Sequence, residues 1–198
     1  MELLKSKKLA SFRAEYFEHA KRHLLFENVE DTSGNIVFGR GSDTPKIVFI
    51  GEAPGQTENK TGEPFRGRSG KILDHWVNEL GLTSKDFAII NVVPIIPLKN
   101  GSIRKPTKEE IEYFLPLTQK YLELLNPKVI ILLGKSAASI FDKNLELGEI
   151  KTYKKFKLFF IYHPSYYLRK GGKGYEHTLS KLKDFLESKH EQISLKKF

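Results

Sequence analysis

The chain predicts an α/β fold: a three-layer α/β/α sandwich with a central, mainly parallel four-stranded sheet, formed as a single domain over residues 1–198. Three observations carry that expectation. Four short apolar runs rich in Ile, Val or Phe stand at residues 46–50, 87–93, 128–133 and 158–162, and unbroken apolar character suits strands covered on both faces. Helical patterns alternate with these runs, and such alternation packs as a parallel sheet between helices. The unusual polar residues fall at the ends of the runs, where open α/β sheets bind ligands.

Taken in order, residues 15–26 read as a helix, and residues 35–38 as an edge strand or hairpin. Residues 46–50 empty into a loop, 51–70, with five glycines and two prolines. Ordinary connections run about 4–6 residues, so a longer one inside a compact domain points to function. Residues 69–80 form the next helix. Thr107 caps a helix running to about residue 125, with Glu110 three positions on completing a capping box. Residues 135–141 read as a short helix. Residues 175–189 close the fold, with Leu179, Leu182, Phe185 and Leu186 at helical spacing.

Composition narrows the function classes. With no cysteine in the chain, disulfides, thiolate-held iron–sulfur clusters and Cys-based zinc sites are excluded. No run approaches the roughly 18 apolar residues of a membrane span, and the N-terminus lacks the apolar core of a secretory signal. A cytoplasmic protein without a membrane partner is the expectation. The net charge of +9 fits a polyanionic partner, most simply nucleic acid; a Lys-rich solvated surface gives the same count.

The polar strand ends carry the chemistry. Gly51-Glu-Ala-Pro-Gly55 turns sharply and exposes backbone N–H groups, which suits an anion or a closely approaching base; a plain strand-exit turn has the same pattern. It is neither a Walker loop nor a dinucleotide fingerprint. Glu52 fits two readings, a carboxylate that positions water or a solvated loop acid. Phe65 is either a stacking platform for a flat ligand or a small apolar plug. Asn91 interrupts an apolar strand; its amide matches one edge of a nucleobase, or is satisfied by a neighbouring loop. His163 is structural, or heads a nucleic-acid-facing loop of aromatics, cations and glycines, 164–172.

The order of these blocks is more specific than any one of them. Gly51-Glu-Ala-Pro-Gly55, then Gly62-Glu-Pro-Phe-Arg-Gly-Arg-Ser-Gly70, Asn91-Val-Val93, Lys128-Val-Ile-Ile-Leu-Leu-Gly134 and His163-Pro-Ser165 with Leu168-Arg169 resembles the uracil-DNA glycosylase superfamily, and within it family 4. The resemblance spans about residues 47–169. It implies a monofunctional DNA repair enzyme that flips uracil out of DNA, as a buried scissile bond requires, and hydrolyses the N-glycosidic bond without strand cleavage. By resemblance, Glu52 and His163 would be catalytic, the first toward water or the developing sugar cation, the second toward uracil O2. Gly51 and Ala53 would line the base pocket, Phe65 would stack on uracil, and Asn91 would read its O4 and N3 edge. Glu58 would clash with the methyl of thymine. Gly55, Ser69, Ser165, Leu168, Arg169 and Lys170 would face the DNA, single- or double-stranded, with the protein acting as a monomer. A shifted base range (hypoxanthine or xanthine) and a catalytically weak damage-binding protein are the alternatives.

The chain departs from the family it resembles at one point. Typical members hold a 4Fe–4S cluster on four cysteines, whose places align near Ala20, His23, Ile95 and Phe114. The expectation is a cluster-free member with an apolar plug there and no metal. The loop 98–106 has no histidine, which disfavours the covalent DNA attachment of a related branch.

Overall fold

The computed structural model describes residues 2–187, with side chains from residue 6; residues 188 and 189 of the expected closing helix lie outside the described residues. In chain order the elements are α1 (Glu2–Lys21), α2 (Phe26–Asp31), β1 (Arg40–Gly41), β2 (Ile47–Gly51), α3 (Gln56–Thr61), α4 (Arg68–Glu79), β3 (Phe87–Asn91), β4 (Leu98–Lys99) and β5 (Ser102–Ile103). There follow α5 (Lys108–Leu125), β6 (Val129–Leu133), α6 (Lys135–Ser139), β7 (Ile150–Tyr153), β8 (Phe156–Ile161), α7 (Pro164–Arg169) and α8 (Tyr175–Glu187).

The main sheet runs β1-β3-β2-β6-β8-β7. Its middle four strands are the four expected apolar runs, mutually parallel. Every residue of β2, β3 and β6 is buried, because helices cover both faces. Val48, Ile50, Ile130, Leu132 and Phe160 pack toward α1 and α5. Ile47, Phe49, Val129, Ile131 and Phe159 pack toward α4 and α8. This strict alternation is the period of two of a strand working against two layers.

The expected four-stranded sheet is corrected to six strands, because an antiparallel strand is added at each edge. Neither was legible as an apolar run. β1 is two residues long, and β7 is Ile-Lys-Thr-Tyr with a largely exposed pattern. Residues 35–38, expected as an edge strand or hairpin, form neither; Ile36, Val37 and Phe38 are buried, and Val37 N–H donates to Pro94 O at 2.8 Å. The strand expected over 87–93 closes at Asn91, although Val92 and Val93 still donate to Gly51 O and Glu52 O at 3.1 and 3.0 Å.

The helix expected over 15–26 begins at Glu2 and stops at Lys21, with α2 starting after a break. Its buried residues Leu9, Phe12, Tyr16 and Ala20 keep helical spacing, diluted by surrounding lysines. The helix expected over 135–141 stops at Ser139. α5 matches its expected bounds: Thr107 Oγ1 accepts from Glu110 N–H, Glu110 accepts from Thr107 N–H at 2.7 Å, and Asn126 ends the helix in a left-handed conformation. The anticipated apolar stripe of α8 is buried along its length.

Candidate active site

The register sets Gly51 beside Asn91 and Leu133 beside Ile161, so the four parallel strands end level. The residues that follow them line one cavity of about 580 Å³. β2 delivers Glu52, Ala53, Pro54 and Gly55, and its loop adds Glu58, Phe65 and Ser69. β3 delivers Asn91, β6 Ser136, and β8 His163 with Ser165 and Arg169. The hairpin β4–β5 and the residues after it, with Arg104, close one side.

Glu52 is partly buried, and its carboxylate accepts a hydrogen bond from the Ser136 hydroxyl at 2.9 Å. That bond fixes one oxygen and leaves the other for a ligand or water. Asn91 is 4% exposed, and its Oδ1 has no hydrogen-bond partner among the described residues. A buried acceptor left unpaired costs about 1–3 kcal/mol, a cost that a donor on a bound ligand removes. Of the two readings open for Asn91, the unpaired oxygen favours the ligand.

Phe65 is a non-glycine residue in the left-handed region, at φ +55°. A bulky side chain there is held by its surroundings. Arg40 supplies the hold: its guanidinium donates to Pro64 O at 2.9 Å and pairs with Asp74 at 2.5 Å. The Phe65 ring lies 5.4 Å from the His163 ring at 36°. Close against the ring stands Gly51, where any Cβ would fall 2.6 Å from a Phe65 ring carbon and 2.5 Å from Asn91 Oδ1. Gly51 is therefore needed for close approach. Gly51 itself is not among the residues that line the cavity, and its two close neighbours Phe65 and Asn91 are.

His163 caps α7. Its Nδ1 accepts from Ser165 N–H at 3.1 Å and sits 2.8 Å from Ser165 Oγ, which in turn accepts from Arg169 at 3.2 Å. An Nδ1 that accepts carries no proton, so the neutral ring keeps its proton on Nε2. Burial, reinforced by the Arg169 charge and opposed by Glu58, lowers its pKa to about 4. The ring is neutral at ordinary pH and can donate from Nε2.

Glu58 takes backbone N–H groups from Gly55 at 3.0 Å, Arg66 at 2.9 Å and Gly67 at 2.7 Å. It clamps the two ends of the long loop and stands as a fixed wall of the cavity. Leu168 and Lys170 do not reach the main cavity. Leu168 lies with Arg169 on an adjoining groove, and Lys170 on another. Ser69, in the first turn of α4, faces both the cavity and that groove.

Sequence reading missed Ser136, Arg40 and Arg104. Ser136 lies just past the Lys128–Gly134 block, in the expected short helix over 135–141, and carried no assigned role. Arg40 and Arg104 had no local signal; Arg104 is fixed by a two-pronged bridge to Glu110 at 2.5 and 2.7 Å. Three of the four aligned cysteine places fall in one buried core layer. Ala20, Ile95 and Phe114 are fully buried in the core beside α1 and α5, and the His23 ring lies 5.1 Å from Phe114 and 4.6 Å from Tyr113. His23 Nδ1 accepts from Leu25 N–H at 3.0 Å. Ala20, Ile95 and Phe114 offer no donor atom, so these residues do not fit an iron–sulfur cluster. Among the described residues no cluster of His, Asp or Glu could hold a metal ion, and no helix is long and apolar enough to cross a membrane.

Comparison with known proteins agrees with this geometry. The pattern of the uracil DNA glycosylase superfamily matches residues 38–187, which includes every strand of the main sheet and the cavity. A type-4 uracil-DNA glycosylase of Archaeoglobus fulgidus is 36% identical over 151 residues, covering 70% of this chain and 74% of the relative. One from Thermotoga maritima is 37% identical over 142 residues, covering 68% and 72%. One from Saccharolobus solfataricus is 34% identical over 171 residues, covering 78% of each. With the fold, the order of the strand-end motifs and these matches in agreement, the chain belongs to the uracil DNA glycosylase superfamily.

Proposed function

We propose that this protein is a uracil-DNA glycosylase of base excision repair, a hydrolase that removes uracil from DNA and leaves the strand intact. The observation that carries the reading is the composition of one cavity. An unpaired, buried Asn91 carboxamide, an aromatic face at Phe65, a neutral imidazole at His163 and a carboxylate at Glu52 all line it. The relatives' activity supports the same reading.

A flipped uracil stacks on Phe65 and sets its N3–H and O4 edge on Asn91, supplying the donor that Asn91 Oδ1 lacks. Glu58, held by three N–H bonds, cannot swing aside and so bars a C5 methyl. Hydrolysis then needs two kinds of help. As the C1′–N1 bond breaks, its electron pair leaves with uracil and negative charge spreads to O2, where Nε2–H of His163 donates. A neutral donor aimed at developing charge stabilises the transition state more than the ground state. Glu52, oriented by Ser136, faces the sugar, where it orients the attacking water, takes its proton and stabilises positive charge at C1′. The water oxygen bonds to C1′, giving an abasic site and free uracil. The reading gives the cavity lysines Lys105 and Lys135 no Schiff-base role, and the proposed reaction is hydrolysis without strand scission.

The same reading has the chain act as a single domain and a monomer, on uracil in single or double strands, in the cytoplasm and without an iron–sulfur cluster, with side-chain packing in its place. The test is a panel of labelled oligonucleotides carrying uracil, hypoxanthine, xanthine or thymine, each incubated with the protein and treated with alkali. Alkali-labile product from the uracil strand, with thymine untouched, is expected. Product from hypoxanthine or xanthine alone moves the activity to a shifted base range. An intact uracil strand with folded protein contradicts the proposal.

A further inference from the structure

A second cavity, about 400 Å³, lies back to back with the first. Tyr162 and Tyr166 line both. Their rings stack on each other at 4.3 Å and 15°, and Tyr162 is 39% exposed. The pair forms a flat aromatic partition between the reaction cavity and its neighbour. The far side is rimmed by Lys170, Lys173, Lys181 and His177, with no acid among its lining residues. None of the three lysines enters an ion pair among the described residues, whereas nearby Lys183 pairs with Glu79 and Lys151 with Asp142. Gly171, Gly172 and Gly174 take left-handed turns in open space, which lets a short loop lay Lys170 and Lys173 along the rim. The floor is apolar, from Phe160 and Leu147. The hydroxyls of Tyr167 and Thr178 bond each other beneath it.

We infer that this second cavity is a subsite for single-stranded DNA, taking the nucleotide next to the one in the reaction cavity. The inference rests on the proposed reading of the first cavity. An aromatic face open beside unpaired cations matches a base with a free face and the phosphate beside it. A base inside a duplex has both faces covered by its neighbours, so the partition discriminates for unpaired strand. The shared tyrosines make the path from one cavity to the other continuous, and the volume falls within the roughly 300–1,000 Å³ of small-ligand clefts.

The test uses the full chain and a Lys173→Gln, Lys181→Gln double variant, neither residue belonging to the reaction cavity. Binding to a uracil-free single strand and to the matching duplex is read by fluorescence anisotropy, and uracil release is read on a uracil trinucleotide and on a longer single strand. The double variant is expected to bind the single strand about tenfold more weakly while duplex affinity changes less than about threefold. On the trinucleotide and on the longer strand alike, each of which carries the neighbouring nucleotide, kcat/KM falls while kcat at saturating substrate stays at the wild-type value. Unchanged single-strand binding, or equal losses on both forms, overturns the subsite; the first outcome leaves the patch to an acidic protein partner. A wild-type protein that binds the single strand through these lysines yet releases no uracil would overturn the glycosylase reading alone.

Discussion

At the scale of single residues, the site depends on contacts that leave no room for variation. A Cβ at Gly51 would meet both the Phe65 ring and Asn91 Oδ1, each closer than real Cβ contacts come. Gly51→Ala must displace a ring already held in a left-handed backbone, and overpacking of this kind costs about 1–3 kcal/mol. Thermal unfolding should show that loss, and uracil release should fall further than stability does, since both displaced groups belong to the proposed base site. His163 sets a pH dependence. Its folded pKa of about 4 lies below the ordinary 6.5 because the ring is buried. Between those values the unfolded chain holds a proton that the folded chain does not, so this group makes stability fall as pH drops from about 6.5 to about 4. Denaturation followed across that window should show the decline, and His163→Asn should flatten it. The pH–rate profile should show no His163 titration near neutrality.

At the scale of elements, the four parallel strands, α5 and α8 were legible because each carries a strong period: unbroken apolar runs, a capping box, a stripe at Leu179, Leu182, Phe185 and Leu186. Their strand-end residues were legible for the same reason, since knowing where an apolar run stops places Glu52, Asn91 and His163 on one edge. What escaped had no local signal. β1 is too short, β7 is exposed and charged, and α3 and α7 are single turns inside loops. Arg40 and Arg104 act through partners far along the chain or across a turn, which pattern cannot show. The Glu58 clamp was invisible too, because its three N–H partners come together only when the loop folds back. The apolar plug was legible as residue types, and its packing gives a prediction. Phe114 is fully buried between α1 and α5, and Phe114→Ala should destabilise the protein by about 3–5 kcal/mol. Chemical denaturation measures this directly. Iron and sulfide added to the unfolded protein should not restore stability if packing alone holds this corner.

At the scale of the whole molecule, the +9 charge and the aromatic-lined cavity describe one task. On the proposed reading, charge brings DNA to the surface without reading sequence, and the pocket reads one base. Affinity for DNA should therefore fall linearly in a log–log plot against salt, while the turnover rate of bound substrate stays nearly constant. Single-turnover rates across a salt series separate the two. The assignment of chemistry to Glu52 and His163 is tested most directly by mass spectrometry of a uracil-containing oligonucleotide incubated with wild-type protein and with Glu52→Gln. Free uracil and an intact abasic strand are expected with the wild type. With Glu52→Gln, release should slow by at least about 100-fold, a loss of general-base scale, while DNA affinity is preserved. Uracil release at the wild-type rate by Glu52→Gln, or no release by folded wild-type protein, would contradict the account.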